Sequence, residues 1–417
     1  MRYSFGDVLL DTDRFLLERG GEPVHVQPQV FDVLTHLVLH RERVVPKTEL
    51  LDAVWGDRFV SESTLTSRIK AARRAVGDDG ELQRVIQTVH GRGYRWIADV
   101  EVDGAPAARA PGAGTVDPAP RRLEQRIGFC QAADGVRIAY ATVGDGPPLV
   151  RAAHWMTHLD YEWDSPVWRH WMEGLSRGRT FVRYDERGCG LSDQDPEDIS
   201  FEAFVRDLET VVDELGLERF PLLGLSQGGP VAVEYAVRHP ERVSRLILVG
   251  AFVVGRLARA STAEERREAE MQAELIRIGW GRDDPSFRLY FSSTFMPDAD
   301  PQLWSDFAAL MRRTTSAANA LRLNDVSVNM DVRDAATKVT VPTLILHGRN
   351  EVRIPFSQGR EYATRIRGSR LVPLDTRNHL MQPDEPAWAQ FLRELDAFLA
   401  EDESTNDPPQ VHSQSTT

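Results

Sequence analysis

The feature that most constrains this chain is the pentapeptide Gly224-Leu225-Ser226-Gln227-Gly228, because of what lies on either side of it. It follows the apolar run Phe220-Pro221-Leu222-Leu223 and precedes a helix-like stretch from Val231 to Arg238. A strand that runs into a sharp turn and then a helix lifts a serine Oγ above a sheet and exposes it for attack. The two glycines fit such a turn, since a tight bend and a close strand–helix approach leave no room for a Cβ. The first hundred residues read as something else. At 417 residues the chain is also too long for one ordinary core, so two domains are expected.

Charge sharpens that division. The formal net charge is −13, which argues against a surface that coats nucleic acid or anionic membrane throughout. Residues 1–100 carry 14 Lys and Arg against 15 Asp and Glu, leaving −12 for residues 101–417. The amino-terminal part is thus spared the acidity of the rest, as a DNA-binding module requires. Two cysteines, Cys130 and Cys189, make no disulfide framework and suit a reducing compartment. Residues Met1–Asp7 lack a signal pattern, and no run approaches the length of a membrane span. A cytoplasmic protein with no membrane partner is the expectation.

Residues 1–100 contain strand-like runs at Tyr3–Leu10, Phe15–Arg19 and Val24–Val26, followed by helical periodicity. Phe31, Leu34, Leu37 and Val38 form one apolar face; Leu50, Leu51, Val54 and Trp55 form a second. A helix is predicted over Thr64–Val76, and Gly91-Arg92-Gly93 sits in a hairpin between Val85–Val89 and Tyr94–Ile97. Residues 101–125 are rich in Ala, Pro and Gly and read as a flexible linker, and residues 401–417 as a disordered tail. Between them, residues 126–400 alternate strands and helices, the pattern of a mostly parallel α/β sheet. Strands are predicted at Gly128–Gln131, Arg137–Val143, Leu149–Ala153, Arg179–Tyr184, Pro221–Gly224, Arg245–Val249, Thr343–His347 and Ser369–Pro373. From about Val253 to Val339 the pattern is helical without strand signal, as in an inserted cap.

The helix Thr64–Val76 places Arg68, Lys70, Arg73 and Arg74 within about three turns, with no acid among them. Leu65, Ile69, Ala72 and Val76 recur at helical spacing, so one stripe packs inward and the basic side is read as facing out. Such a face attracts phosphate, and Ser63, Thr66, Ser67 and Arg68 near its start are suited to reading base edges. Taken alone, the run equally describes a solvated charged face. The segment Ile86-Gln87-Thr88-Val89-His90-Gly91-Arg92-Gly93-Tyr94-Arg95-Trp96 resembles the closing wing of OmpR/PhoB-type winged-helix effector domains. The resemblance extends through residues 1–98, including Leu50–Gly56 and Ile69–Arg74. It implies that the helix enters the major groove of double-stranded DNA and that Arg92 reaches the adjacent minor groove or its phosphates. Because the module starts at residue 1, no phosphoacceptor domain is expected ahead of it. The module is compatible with a homodimer on DNA, although no interface is legible.

Ser226 needs a base, and His379 follows the last predicted strand in Thr376-Arg377-Asn378-His379. It also needs a carboxylate to orient that imidazole, and Glu351 follows the strand Thr343–His347 by a short loop. The order Ser, acid, His is that of α/β-hydrolases. Residues 126–400 resemble that superfamily through Asp185-Glu186-Arg187-Gly188-Cys189-Gly190-Leu191-Ser192-Asp193, Pro342–Gly348 and Asn378-His379. Glu351 stands where most relatives carry Asp; Asp375 and Asp384 are spare candidates. The oxyanion hole would take backbone N–H groups from Gln227 and from Trp155 or Met156, in a loop where relatives usually have His-Gly and this chain reads His154-Trp155-Met156.

Several residues have plainer readings. His154 and His158 lie in a loop without the helical H-E-x-x-H context, so no metal site is expected. Cys189 reads as a small filler in a glycine turn, and Trp155, Tyr161, Trp163, Trp168 and Trp171 read mainly as core. No cofactor is implied. The fold expected is a winged helix-turn-helix (α+β) followed by an α/β-hydrolase fold with a helical cap. The expected function is a DNA-binding transcription regulator carrying a serine hydrolase that acts on an ester-like small molecule. The alternatives are a hydrolase fold that only senses a ligand, and an enzyme whose winged helix binds protein.

Overall fold

The computed structural model describes residues 2–12, 16–24, 26–55, 62–78, 82–89, 92–103, 123–280, 282 and 286–401. Most of the expected linker (104–122) and the expected tail (402–417) lie outside the described residues. The chain divides into two compact units, Met1–Asp117 and Pro118–Thr417.

In the first unit the run Tyr3–Leu10, read from sequence as one strand, is a hairpin of β1 (Arg2–Phe5) and β2 (Val8–Asp11). Gly6, at φ +58°, makes the turn between them. β3 (Leu16–Arg19) and β4 (Glu22–Pro23) extend this antiparallel sheet. Then come α1 (Pro28–Leu39), β5 (Val44–Pro46), α2 (Lys47–Trp55), α3 (Glu62–Ala75), β6 (Ile86–Val89) and β7 (Gly93–Trp96). β8 (Glu101–Asp103) returns to pair with β1, with Arg2 opposite Asp103 and Ser4 opposite Glu101. Residues 101–103, included in the expected linker, therefore belong to this sheet; they cover the open edge of β1. The core joins Leu34, Leu37 and Val38 of α1 to Leu65, Ile69 and Ala72 of α3. β5, β7 and β6 form a second small sheet. Gly93 allows β7 to pass β5, since a Cβ there would lie 2.0 Å from the Val45 carbonyl oxygen.

The second unit is built on an eight-stranded sheet. β9 (Gln125–Gln131) and β10 (Arg137–Val143) are antiparallel, and β10 pairs antiparallel with β12 (Thr180–Tyr184). β11 (Pro148–Ala152) lies beside β12, with α4 (Leu159–Asp164) and α5 (Arg169–Leu175) between them in sequence. After α6 (Phe201–Glu214), β13 (Phe220–Leu225) leads to α7 (Gly228–Arg238) and β14 (Val243–Val249). The cap region holds α8 (Ala263–Gly279), α9 (Ser286–Phe295), α10 (Pro301–Thr314), α11 (Ala317–Asn329) and the short α12 (Arg333–Ala336). β15 (Thr343–Gly348), α13 (Phe356–Arg365), β16 (Arg370–Leu374) and α14 (Pro386–Ala400) complete the unit. The strand order is β16-β15-β14-β13-β11-β12-β10-β9, parallel from β16 through β12. Central parallel strands are buried on both faces and read as continuous apolar runs, as Leu246–Val249 and Leu344–Leu346 do.

Candidate functional site

Ser226, Glu351 and His379 follow the carboxyl ends of β13, β15 and β16, and Trp155 and Met156 follow that of β11. In an open parallel sheet this edge is where ligands bind. Ser226 occupies the turn between β13 and α7 at φ +53°, a left-handed conformation that costs a non-glycine residue strain. The turn is held on both sides: Ser226 N–H donates to Val249 O, and Ser226 O accepts from Gly229 N–H. Neighbouring glycines permit this packing. A Cβ on Gly224 would lie 2.7 Å from Gly229 Cα, and one on Gly228 would lie 2.8 Å from Ala152 O. The second contact brings the end of β11 against the start of α7, next to the loop that carries Trp155 and Met156.

His379 Nδ1 and Glu351 Oε1 are 2.5 Å apart, and both side chains are almost completely buried. Glu351 Oε1 also accepts from Ile354 N–H at 3.1 Å, which fixes the carboxylate plane. His347 Nε2, which donates to Ile354 O at 3.0 Å, lies 3.5 Å from Glu351 Oε2. Two imidazoles and one amide thus face this carboxylate. On the other side of His379, Nε2 is buried without a hydrogen-bond partner among the described residues. The backbone after β14 ties this pair to the serine turn. Val249 holds Ser226 N–H, and a Cβ on the next residue, Gly250 (φ +50°), would lie 3.2 Å from both Glu351 Oε2 and His379 Nδ1. The cap closes over the same loop, since His379 N–H donates to Phe295 O at 2.7 Å.

The residues named for the oxyanion hole sit in unusual surroundings. Met156 has φ +65°, so the loop turns sharply at a non-glycine residue. Trp155 packs its ring against Phe291 and Phe295 of the cap, with centroids 4.9 and 5.9 Å away. The Gln227 side chain donates to Glu186 Oε1 at 2.5 Å inside the protein. Burial and the Asp207 charge push Glu186 well above the usual carboxylate range. The Asp185–Asp193 segment is otherwise scaffold: Arg187 forks onto both Asp207 oxygens at 2.6 and 2.8 Å, and Asp185 accepts from Leu159 and Leu191 N–H. Asp375 and Asp384, the spare acids, are exposed.

The remaining titratable candidates are accounted for locally. Burial lowers His154 to about 3; its ring stacks on Trp168 and its Nδ1 lies 3.1 Å from Trp155 O. His158 caps α4 through Tyr161 N–H. Trp168 and Trp171 are core, and burial pushes the Cys189 thiol up, away from the reactive thiolate. Among the described residues one group has metal-like spacing, His36, His40 and Glu49. Both terminal nitrogens of Arg43 already hold Glu49, at 2.6 and 2.8 Å.

In the first unit Thr66, Ser67, Lys70 and Arg74 are exposed along α3, Arg68 is half-buried, and Arg92 is exposed beside the wing. The Ser63 side chain lies outside the described residues. Arg73 corrects the sequence reading. It is buried and points inward, donating through Nε and Nη2 to Ile86 O at 3.0 and 2.7 Å and to Thr88 Oγ1 at 2.9 Å. Its place on the helix turns it toward β6, so it staples α3 to the wing and leaves the exposed side of the helix to its neighbours.

Residues that sequence reasoning missed are Arg256, Arg259 and Arg353, which line a cavity of about 50 Å³ beside Ser226 and Gln227. They lie on two loops almost a hundred residues apart, and no local motif marks them.

Comparisons with known proteins agree with this architecture. The family described as alpha/beta hydrolase fold matches residues 162–386, and the family described as transcriptional regulatory protein, C terminal, matches residues 21–96. A pyrrolizixenacetamide deacetylase of Xenorhabdus hominickii is 26% identical over 267 residues, 63% of this chain and 94% of that protein. The transcriptional regulator HilA of Salmonella typhi is 36% identical over 126 residues, 30% of this chain and 22% of HilA. An esterase from Exiguobacterium antarcticum superposes with a TM-score of 0.55 at 28% identity, covering 66% of this chain and 99% of the esterase.

Proposed function

Because this chain belongs to the alpha/beta hydrolase fold family and joins that domain to an OmpR/PhoB-type DNA-binding domain, we propose that it is a transcription regulator with a working acyl hydrolase. In this reading Ser226 Oγ attacks the carbonyl of an ester-like substrate while His379 Nε2 takes its proton. Glu351 holds the imidazole by Nδ1 and offsets the imidazolium charge. The backbone N–H of Gln227, with that of Trp155 or Met156, receives the developing oxyanion. The acyl–oxygen bond then breaks, the leaving alcohol takes the proton from His379, and water repeats the sequence on the acyl-enzyme to release the acid.

The observation that carries this reading is the buried 2.5 Å contact between His379 and Glu351, with the opposite imidazole nitrogen left unpartnered. A lapsed site has no reason to keep that nitrogen buried and uncommitted, which has a cost. Similarity to a deacetylase and an esterase supports acyl chemistry. The test is labelling by a fluorophosphonate probe. Wild-type protein labels, Ser226→Ala does not, and Glu351→Gln labels much more slowly; a folded wild type that fails to label would leave only a ligand-sensing role.

On the DNA side, Thr66, Ser67, Lys70 and Arg74 of α3 would face the major groove, Arg68 would lie at its margin, and Arg92 would reach the neighbouring phosphates. Binding of a small molecule in the second unit would then alter occupancy of double-stranded DNA, with a homodimer on the operator as the expected assembly. Duplex binding lost steeply with salt supports this; no binding at low salt refutes it.

A further inference from the structure

Among the described residues, three guanidinium groups line the cavity beside Ser226, and no Asp or Glu does. Arg353, on the loop between β15 and α13, lies over the rings of Phe291 and Phe295, 4.8 and 4.6 Å from their centroids. Its Nη1 donates to Gln272 Oε1 at 3.2 Å, and Gln272 in turn donates to Asn324 Oδ1 at 2.8 Å. Neutral groups on α8 and α11 therefore orient this cation. Arg259 donates to the Val254 carbonyl at 3.0 Å. Among the described residues neither Arg259 nor Arg353 enters an ion pair, while Arg256 has a loose one, 3.4 Å from the exposed Glu268. Glu265 lies near Arg259, and Glu351 and Tyr290 lie near Arg353, but Glu351 is committed to His379.

Gathering three like charges with few close counter-charges is costly, and the cost registers on Arg353. Burial, with Arg256 and Arg259 nearby, lowers it to about 9. An anion in the cavity removes this penalty, and the forked donors of arginine match the two oxygens of a carboxylate. The other lining includes Trp155, Phe252 and Val328, which suit a short apolar chain. We infer that this pocket selects acyl substrates that end in a carboxylate, so that the hydrolase acts on half-esters of short dicarboxylic acids. The inference rests on the acyl-hydrolase reading for its chemistry, though not for its binding.

The test compares 4-nitrophenyl hydrogen adipate with its neutral methyl ester on full-length wild type, Arg353→Gln and Arg256→Gln. The readout is the ratio of kcat/KM for the acid to that for the methyl ester, which cancels general damage to the site. Wild type should favour the acid by about tenfold or more, equivalent to about 1.4 kcal/mol, and the ratio should fall toward one in both variants. A wild-type ratio near one, or a preference that survives in both variants, overturns the inference. If neither ester is turned over, adipate itself is added and Tm is measured. A rise in wild type that both variants lose supports the anion pocket while the acyl-hydrolase reading fails. No rise, or a rise with inorganic phosphate and none with adipate, overturns the carboxylate assignment. Fluorophosphonate labelling of the same samples reports on Ser226 separately.

Discussion

Replacing Glu351 by Gln keeps the shape of the side chain and removes one charge, and the surroundings of Glu351 allow the consequence to be worked out. With the amide oxygen toward His379 Nδ1 and Ile354 N–H, the NH₂ group takes the place of Oε2. There it meets His347 Nε2, 3.5 Å from that position and already a donor to Ile354 O. With the amide flipped, NH₂ meets Ile354 N–H and forces His379 to accept at Nδ1, which places the ring proton on Nε2 where the base must be free. One orientation sets donor against donor; the other gives the wrong tautomer. Either way the negative charge that balances the imidazolium is gone from a buried site. The loss of kcat should be on the order of a thousandfold or more, about 4 kcal/mol of transition-state stabilisation. The assay is hydrolysis of a 4-nitrophenyl ester, with Tm recorded to confirm folding. Glu351→Asp, one methylene shorter, should retain part of the activity because the carboxylate survives. A folded Glu351→Gln protein within about tenfold of wild type would refute the assignment of Glu351.

Other outcomes can be checked on the same material. Gly250→Ala should reduce ester turnover strongly, because its Cβ would press on Glu351 and His379 from a backbone at φ +50°; unchanged turnover would show that this approach is not tight. Arg73→Met should destabilise the first unit by about 2 kcal/mol through loss of charge-assisted donors to Ile86 O and Thr88 Oγ1. Lys70→Ala should leave stability intact and reduce the salt slope of DNA binding by about one; the opposite pattern would restore Arg73 as a phosphate contact. The Arg43 hydrogen bonds, with help from His36, lower Glu49 from 4.5 to about 2. A carboxylate depressed in the folded state contributes stability above its unfolded pKa, lost as pH falls from about 4.5 toward 2. Acid unfolding of the first unit should therefore be shallower in Glu49→Gln over that window.

Much of the fold was legible because its signals are local. The alternation of apolar runs with amphipathic stretches located all eight strands of the large sheet, most of them to within a residue or two at each end. The turn at Ser226 was readable because the glycines around the serine form a local pattern, even though what Gly228 makes room for, Ala152 O, is distant in sequence. Pairing was less legible. The return of Glu101–Asp103 to the edge of β1 depends on a partner about a hundred residues away, and a run of three residues beside the linker carries too little pattern to mark a strand. Arg73 was misread for a related reason. Helical spacing says which side of α3 faces its own core, but not that β6 offers a carbonyl and a hydroxyl within reach of a long side chain.

What the sequence determined by itself is the order of parts: a winged helix, then a parallel sheet whose serine turn is followed by an acid and a histidine, each after its own strand. These follow from periodicity, glycine placement and loop position, all short-range properties of a chain. Tertiary structure alone decided that His347 would also face Glu351, that Arg73 would turn inward, and that three arginines would meet beside Ser226. Those outcomes depend on close approach between loops distant in sequence, where the energy of a charge is set by what else is nearby and by how little water remains.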